Sequence, residues 1–234
     1  MVFQKKITES LKAFPDKIAI ENGSESITYK QVSDAAHSIS TFLLKQRFGK
    51  EAIIGICLKS RIHVIYSMIG IANAGCVFVP IDMDVPARRL NAIINDLQPE
   101  CIICEKDSTL FDNRDSNSPM ARCFIEDVLN DNNPVDEKDI QWPSYEEDDS
   151  LYIYYTSGTT GNPKGIVGKN CSLIHFLEWE ISTFNITAGF RFSQLISPYF
   201  DAFLRDGGDR RLRRPRTRSA RRARPYPRRT SSRR

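Results

Sequence analysis

The chain has 234 residues, an apolar fraction of 41% and a formal net charge of +4, which is enough apolar material for one large domain or two small ones. It contains no uncharged apolar run of membrane-spanning length, and its N-terminus lacks a secretory apolar segment. We therefore expect a cytoplasmic protein with no membrane partner.

The net charge hides two regions of opposite character. Residues 207–234 hold 13 Arg, no Lys and one acidic residue, whereas residues 1–206 hold 20 basic and 28 acidic residues. Residues 1–206 therefore carry a charge of about −8, and residues 207–234 carry a charge of about +12. We interpret residues 1–206 as a partial domain and residues 207–234 as an Arg-rich, low-complexity segment.

The N-terminal part predicts a helix, a hairpin and a longer helix. Residues 7–14 suit a short amphipathic helix, and residues 17–20 and 26–29 read as strands around an Asn-Gly turn. Thr28 and Gln31 form a capping-box pattern. The helix that follows repeats its apolar residues at helical spacing, and these are Val32, Ala35, Ala36, Ile39, Phe42 and Leu43.

Strands and helices then alternate. Near-continuous apolar runs predict strands buried on both faces at residues 53–58, 75–80 and 101–104. Ser60 is expected to cap a helix that ends near Asn73. Asp84 is expected to cap a helix that ends at Leu97, with Pro86 in its first turn. This alternation predicts an α/β fold with a largely parallel sheet flanked by helices.

Six cysteines are scattered along the chain, and only Cys101 and Cys104 are close enough in sequence to suggest a metal or redox pair. Residues three apart on a strand point to opposite faces, so these two thiols could not hold one ion without a turn between them. We predict buried free thiols.

The second half predicts further strands and loops. Residues 122–129 read as a short strand with a following turn, and the acidic residues 130–149 as an exposed loop. Residues 165–168 and 192–197 read as strands. Asn170 is expected to cap a helix through Phe184, whose inward residues are Leu173, Phe176, Leu177 and either Trp179 or Ile181.

A loop with unusual composition joins two of these strands. Residues 151–155 are rich in β-formers, and the next ten, Thr156 to Gly165, contain three Gly, four hydroxyl side chains, one Pro and one Lys. Such a loop can bring backbone N–H groups, hydroxyls and a cation around an oxyanion. It predicts a site for the phosphates of a nucleotide, with a flexible surface turn as the disfavoured alternative.

The spacing excludes a Walker-type phosphate loop, in which Gly-Lys is followed by Ser or Thr. Here Lys164 follows Pro163 and precedes Gly165. The segment Thr156–Gly165 instead resembles the phosphate-loop signature of adenylate-forming enzymes. These include acyl-CoA synthetases, luciferases and the adenylation domains of nonribosomal peptide synthetases.

Two further segments are similar to core motifs of the same family. Residues 27–32 resemble the first core motif, and residues 72–82, which end in Pro-Ile-Asp, resemble the second. The second favours the peptide-synthetase branch over the acyl-CoA synthetases. We interpret both as architectural, with no catalytic role.

Phe200 and Asp201 resemble the start of the fourth core motif, Phe-Asp-x-Ser, although Phe203 stands where Ser is usual. The resemblance implies that Asp201 binds the α-ammonium group of an amino acid, since a carboxylate at the mouth of an apolar pocket suits that cation. Phe200 would help to wall the pocket. Asp201, Ala202 and Arg205 would be the first selectivity positions. A helix N-cap is the alternative role for Asp201.

The resemblance implies a reaction with ATP and Mg²⁺. The carboxylate of an amino acid attacks the α-phosphate to give an aminoacyl-adenylate and pyrophosphate, and the acyl group then passes to a phosphopantetheine thiol on a carrier domain. Lys164 and Thr160 would be catalytic, and no residue is predicted to be a metal ligand. The implied ATP-binding residues are Thr156, Ser157, Gly158, Thr159, Thr160, Gly161 and Lys164.

The resemblance ends near Asp206. The adenine-binding, ribose-binding and C-terminal Lys segments that the family would carry downstream are not in this sequence, so we expect that this chain alone does not complete the reaction. We infer that the Arg-rich segment arises from a frameshift, a chimeric join or a gene-model error. The alternatives are a non-catalytic truncated product and a disordered arm that binds nucleic acid through its arginines.

Overall fold

The computed structural model describes residues 2–108, 121–131, 140–156, 163–187 and 189–204. They form six helices: α1 (Phe3–Ala13), α2 (Tyr29–Lys45), α3 (Arg61–Asn73), α4 (Ala87–Leu97), α5 (Ile125–Leu129) and α6 (Asn170–Thr183). They also form eight strands: β1 (Ile18–Asn22), β2 (Glu25–Thr28), β3 (Ile53–Cys57), β4 (Val77–Pro80), β5 (Cys101–Cys104), β6 (Ala121–Phe124), β7 (Ser150–Thr156) and β8 (Lys164–Lys169).

A six-stranded sheet forms the centre of the described structure. Its strand order is β6-β5-β3-β4-β7-β8, in which neighbouring strands from β6 to β7 are parallel and β8 is antiparallel to β7. Strands β1 and β2 form a separate antiparallel hairpin. The predicted α/β class, a largely parallel sheet flanked by helices, is confirmed.

Helices cover the sheet on both faces. One face packs against residues of α1, α2, α3, α5 and α6, and the other packs chiefly against Leu90, Ile94 and Leu97 of α4. Cys101 belongs to the first core and Cys104 to the second, which confirms that the two thiols point to opposite faces. All six cysteines are free.

Two predicted helix caps are present in the structure. The Thr28 hydroxyl accepts a hydrogen bond from the Gln31 N–H at 3.2 Å, and the Gln31 side chain accepts one from the Thr28 N–H at 2.8 Å. Ser60 accepts a hydrogen bond from the N–H of His63 at 3.3 Å. Each cap satisfies N–H groups that the first turn of a helix would leave unpaired.

The predicted cap at Asp84 is wrong. Helix α4 begins at Ala87, its N-cap position is occupied by Pro86, and no side chain caps it. The N–H of Asp84 donates a hydrogen bond to Asp82 Oδ1 at 2.9 Å, which closes a local turn before the helix starts. Residues 122–129 are predicted to form a short strand with a following turn, but only the strand is present: residues 125–129 form α5, with Ile125 and Val128 buried on one face.

Helix α6 differs from its prediction at both ends. Asn170 does not cap it: the Asn170 side chain accepts a hydrogen bond from the N–H of Phe3 and donates one to the carbonyl of Glu146. Either Trp179 or Ile181 is predicted to point inward, but both are exposed and Glu180 is buried. Helix α6 therefore turns a different face to the core near its C-terminus.

The strand predicted at residues 192–197 is absent, and this part of the chain is irregular. The carbonyl of Gln194 accepts a hydrogen bond from the side chain of Arg61, instead of from a neighbouring strand. Residues 140–149 form no helix or strand, as predicted for the acidic loop. None of the described helices is long and apolar enough to cross a membrane.

Helices α2 and α3 approach closely at Gly70. A methyl group at this position would lie 2.6 Å from Cβ of Ile39 and 2.8 Å from the carbonyl oxygen of Ala36. Ser40 of α2 also donates a hydrogen bond to the Gly70 carbonyl at 3.0 Å. The absence of a side chain at residue 70 therefore sets the distance between the two helices.

We expect Gly70→Ala to lower the free energy of unfolding by roughly 1–2 kcal/mol. Overpacking costs about 1–3 kcal/mol, and the better helix propensity of Ala recovers up to about 1 kcal/mol. Urea denaturation measures the change. The matched control is Gly49→Ala, since nothing lies within 4 Å of a methyl group there. Equal stability of the two variants would contradict close packing at Gly70.

Candidate nucleotide and substrate site

The described residues Thr156 and Lys164 lie at one edge of the sheet. Strands β3, β4, β5 and β7 run in the same direction, so their carboxyl ends, Cys57, Pro80, Cys104 and Thr156, meet at that edge. Open α/β sheets bind ligands outside these ends, because the connecting loops leave a crevice there. The end of β7, where the predicted phosphate loop begins, and the cavity described below both lie at this edge.

The two ends of the predicted phosphate loop face each other. Thr156 and Lys164 are paired across the antiparallel β7–β8 ladder, and the Thr156 hydroxyl donates a hydrogen bond to the Lys164 carbonyl at 3.4 Å. Lys164 is exposed. Five further predicted nucleotide-binding residues lie outside the described residues, and these are Ser157, Gly158, Thr159, Thr160 and Gly161.

Two aromatic contacts fix the hairpin that carries the loop. The Tyr152 ring lies over Gly168, in the space that a side chain at residue 168 would occupy. The Tyr155 hydroxyl donates a hydrogen bond to the Asp96 carboxylate of α4 at 2.7 Å. Burial, and then this hydrogen bond, raise the pKa of Tyr155, so its hydroxyl stays protonated and keeps the end of β7 attached to α4.

A cavity of about 520 Å³ opens at the same sheet edge. Its volume falls within the range of small-molecule sites. Its lining mixes two cationic, two carboxylate and three hydroxyl side chains with two apolar ones; the residues are Lys59, Arg61, Met83, Asp84, Asp107, Ser108, Ser197, Pro198 and Tyr199. The Lys59 ammonium and the Asp107 carboxylate form an exposed ion pair at 3.2 Å.

The predicted substrate-binding motif directly follows this lining. Phe200 and Asp201 are exposed, Ala202 is half-buried and Phe203 is buried in the core. The Phe203 N–H donates to the Phe200 carbonyl at 2.8 Å, which closes a turn. Because Asp201 immediately precedes a helical turn, its position also suits the alternative N-cap role. Arg205 lies outside the described residues.

One buried hydroxyl of β7 is influenced electrostatically by Asp201 of this motif. Tyr154 is buried, and its hydroxyl oxygen has no hydrogen-bond partner among the described residues. Burial raises the pKa of the Tyr154 phenol, and the neighbouring Tyr152 and Asp201 raise it further. The Asp201 carboxylate therefore lies within electrostatic reach of the strand that leads into the phosphate loop.

Side chains missed at the level of sequence hold the motif segment against the core. Arg61 Nη1 donates to the carbonyl of Gln194 at 2.8 Å, and the Tyr199 hydroxyl donates to the carbonyl of Leu58 at 3.0 Å. Burial, with smaller effects from Cys57 and nearby carboxylates, raises the pKa of Tyr199 to about 12, so the hydroxyl remains a donor at neutral pH. The helix cap at Ser60 was the only sequence signal near Arg61.

The structure thus brings Thr156 and Lys164 together, whereas Phe200, Asp201 and Ala202 follow the cavity-lining residues 197–199 in sequence and are not themselves part of the lining. Within the described ranges, no cluster of three or more His, Cys, Asp or Glu side chains could hold a metal ion. The Thr156 hydroxyl and the Lys164 ammonium at the ends of the loop suit an anionic phosphate.

A family profile described as "AMP-binding enzyme" matches residues 7–205. The chain is 30% identical over 178 residues to a linear gramicidin synthase of Brevibacillus parabrevis, covering 76% of this chain and 3% of that protein. It is 32% identical over 168 residues to the D-alanine–D-alanyl carrier protein ligase of Staphylococcus haemolyticus, covering 72% of this chain and 32% of that ligase. The chain therefore spans a third or less of these two relatives.

The fold is shared with solved structures of nonribosomal peptide synthetases. The crystal structure of FmoA3 superimposes with a TM-score of 0.76 at 20% identity, covering 89% of this chain and 21% of that one. FmoA3 has also been solved with AMPPNP and with α-methyl-L-serine-AMP bound. At this identity the similarity shows a common fold.

The unpaired hydroxyl of Tyr154 gives a stability test. We expect Tyr154→Phe to leave the free energy of unfolding unchanged or to raise it by about 1 kcal/mol, because the variant removes a buried polar atom that lacks a partner. Tyr145→Phe is the matched comparison: the Tyr145 hydroxyl donates to the Asn73 carbonyl at 2.6 Å, and its loss should cost about 1 kcal/mol. A loss of similar size in Tyr154→Phe, measured by urea denaturation, would show that the hydroxyl is bonded.

Proposed function

Because the chain belongs to the AMP-binding enzyme family, we propose that it forms the ATP-binding and substrate-binding part of an amino-acid-activating site. The observation that carries the proposal is the family match over residues 7–205, which includes both the phosphate-loop segment and the Phe200–Asp201 motif. The loop leaves β7 at the sheet edge where the cavity opens, and the motif directly follows that cavity's lining.

The relatives support the reaction class. The matched ligase acts with a D-alanyl carrier protein according to its name, and FmoA3 binds an ATP analogue and an aminoacyl-adenylate. In such a reaction a carboxylate oxygen attacks the α-phosphorus of ATP, and the bond to the pyrophosphate leaving group breaks. A carrier thiol then attacks the acyl carbon and AMP leaves. We propose a phosphopantetheine carrier domain as the partner of this second step.

The residues of the phosphate loop have complementary roles in this proposal. Lys164 places a cation beside the β- and γ-phosphates and offsets the charge that develops as pyrophosphate leaves. The hydroxyls of Thr156, Ser157, Thr159 and Thr160 donate hydrogen bonds to phosphate oxygens. Gly158 and Gly161 let the backbone approach the nucleotide closely. Mg²⁺ enters as part of the substrate, bound to the phosphates, and adds positive charge there.

The residues of the motif recognise the substrate. The Asp201 carboxylate pairs with the α-ammonium group of the amino acid, and the exposed Phe200 ring covers an apolar side of the pocket. Ala202 and Arg205 contribute to the choice of amino acid. Since the chain spans a third or less of its two matched relatives, the complete reaction is proposed for the whole protein.

No described residue favours a second function. The Arg-rich segment lies outside the described residues, so nucleic-acid binding through it stays a prediction, and none of the relatives named above supports it.

We expect Lys164→Met to weaken binding of ATP–Mg²⁺ roughly tenfold, because the variant removes a charge-assisted contact with phosphate. Isothermal titration calorimetry on the full chain measures the Kd. Lys169→Met is the matched control: Lys169 is an equally charged, exposed residue at the other end of β8, and it is paired with Asp148. Equal ATP affinities of the two variants, or no ATP binding by the wild-type chain, would contradict the proposal.

A further inference from the structure

We infer that Arg61 and Tyr199 are positioning residues that hold the Phe200–Asp201 motif in place for its substrate. The inference rests on the proposed function, and it concerns side chains with no assigned role in that function. Arg61 begins α3 and Tyr199 directly precedes Phe200, and both line the cavity. The two residues attach the motif segment to the connection between β3 and α3.

The motif segment needs such attachment because it lacks regular backbone pairing, although Arg191 forms an ion pair with Glu21 and Ile196 packs against the core. Residues 189–201 contain no strand or helix, so no ladder of backbone hydrogen bonds fixes them. Leu195 is 68% exposed and Phe200 is 62% exposed, so neither is anchored by burial. A segment with few buried contacts and few backbone bonds opens locally at low cost.

Arg61 supplies the first attachment. Its Nη1 donates to the Gln194 carbonyl at 2.8 Å, across 133 positions of sequence. The Gln194 side chain in turn donates from Nε2 to the Phe203 carbonyl at 2.8 Å, and the Phe203 N–H donates to the Phe200 carbonyl. Consecutive hydrogen bonds therefore lead from the first residue of α3 to the turn that contains Asp201.

Tyr199 supplies the second attachment. Its hydroxyl donates to the carbonyl of Leu58 at 3.0 Å, and Leu58 is fully buried at the end of β3. The two attachments contact the chain on either side of Ser60, whose hydroxyl caps α3. The motif is thus attached to two rigid elements: the buried chain directly after β3, and the capped start of α3.

A positioning role can be separated from a contribution to the core. The Arg61 side chain is exposed, so its substitution removes a hydrogen bond without opening a cavity in the core. Arg88 offers a matched control, since it is also exposed and also lies in the first turn of a helix. Arg61→Lys keeps a cationic donor and tests rescue.

The experiment measures ligand response and local opening on the full chain. The ligand probe is an equimolar mixture of the proteinogenic L-amino acids, and the comparison probe is the mixture of their N-acetyl derivatives, which lack the ammonium group. We measure the ligand concentration that gives half of the maximal rise in Tm, called the midpoint below. It is measured for wild type, Arg61→Met, Arg61→Lys, Arg88→Met, Tyr199→Phe and Asp201→Asn. Hydrogen exchange of the Phe203 amide is followed without ligand.

We expect Arg61→Met and Tyr199→Phe to raise the midpoint roughly tenfold and to speed exchange at the Phe203 amide by a similar factor. Exchange of the α3 amides should not change. Arg61→Lys should stay within about twofold of wild type, and Arg88→Met should match wild type. Asp201→Asn should abolish the response. If Arg61→Met does not fold, the midpoints and the Phe203 exchange rates of Tyr199→Phe and Arg61→Lys test the inference instead.

Two results would overturn the inference alone. One is a wild-type midpoint in Arg61→Met and Tyr199→Phe while Asp201→Asn abolishes the response. The other is a raised midpoint with unchanged exchange at Phe203, because it would mean that Arg61 contacts the ligand itself. A wild-type chain that responds equally to the free and the N-acetylated mixtures would overturn both the inference and the proposed binding of an α-ammonium group.

Discussion

The parallel pairing of β3 with β4 and β5 is the constraint on which the rest of the structure depends. Strand β3 lies inside the sheet, its residues Ile54 and Ile56 are fully buried, and a side chain at Gly55 would collide with Ile102 of β5. The strand can therefore hardly shift in register without a clash on one face. Since β3, β4, β5 and β7 point the same way, their carboxyl ends must open at one edge, and the connecting segments that could bind a ligand gather there.

The parts of the fold that depend on neighbouring residues could be predicted from the sequence. The capping box at Thr28, the cap at Ser60 and the apolar strands all follow from spacing over a few positions. The cap at Asp84 failed because of a local turn with Asp82, but two other failures occurred where a distant residue decided the outcome. The Asn170 side chain accepts a hydrogen bond from the N–H of Phe3, near the start of the chain, instead of capping its own helix. The carbonyl of Gln194 accepts a hydrogen bond from the side chain of Arg61 in α3, although a neighbouring strand was expected there.

For the candidate site too, local features could be predicted from the sequence and contacts between distant residues could not. A local motif predicts that Thr156 and Lys164 bracket a loop, and their pairing across β7 and β8 follows from the hairpin. The apolar run that contains Tyr154 predicts a buried strand, but it does not reveal that the hydroxyl lacks a partner near Asp201. The bonds from Arg61 and Tyr199 join residues more than 130 positions apart, and no spacing rule relates such positions.

Strand β8 has a consequence for the behaviour of the protein in concentrated solution. Among the described strands it lies at the edge of the sheet, and Ile166 and Val167, which point to opposite faces, are 51% and 55% exposed. An apolar edge of this kind is a template for strand addition by another molecule, and lysines are the common protection against it. Lys164 and Lys169 stand at its two ends. The ammonium groups at the two ends of β8 therefore oppose the addition of another strand there.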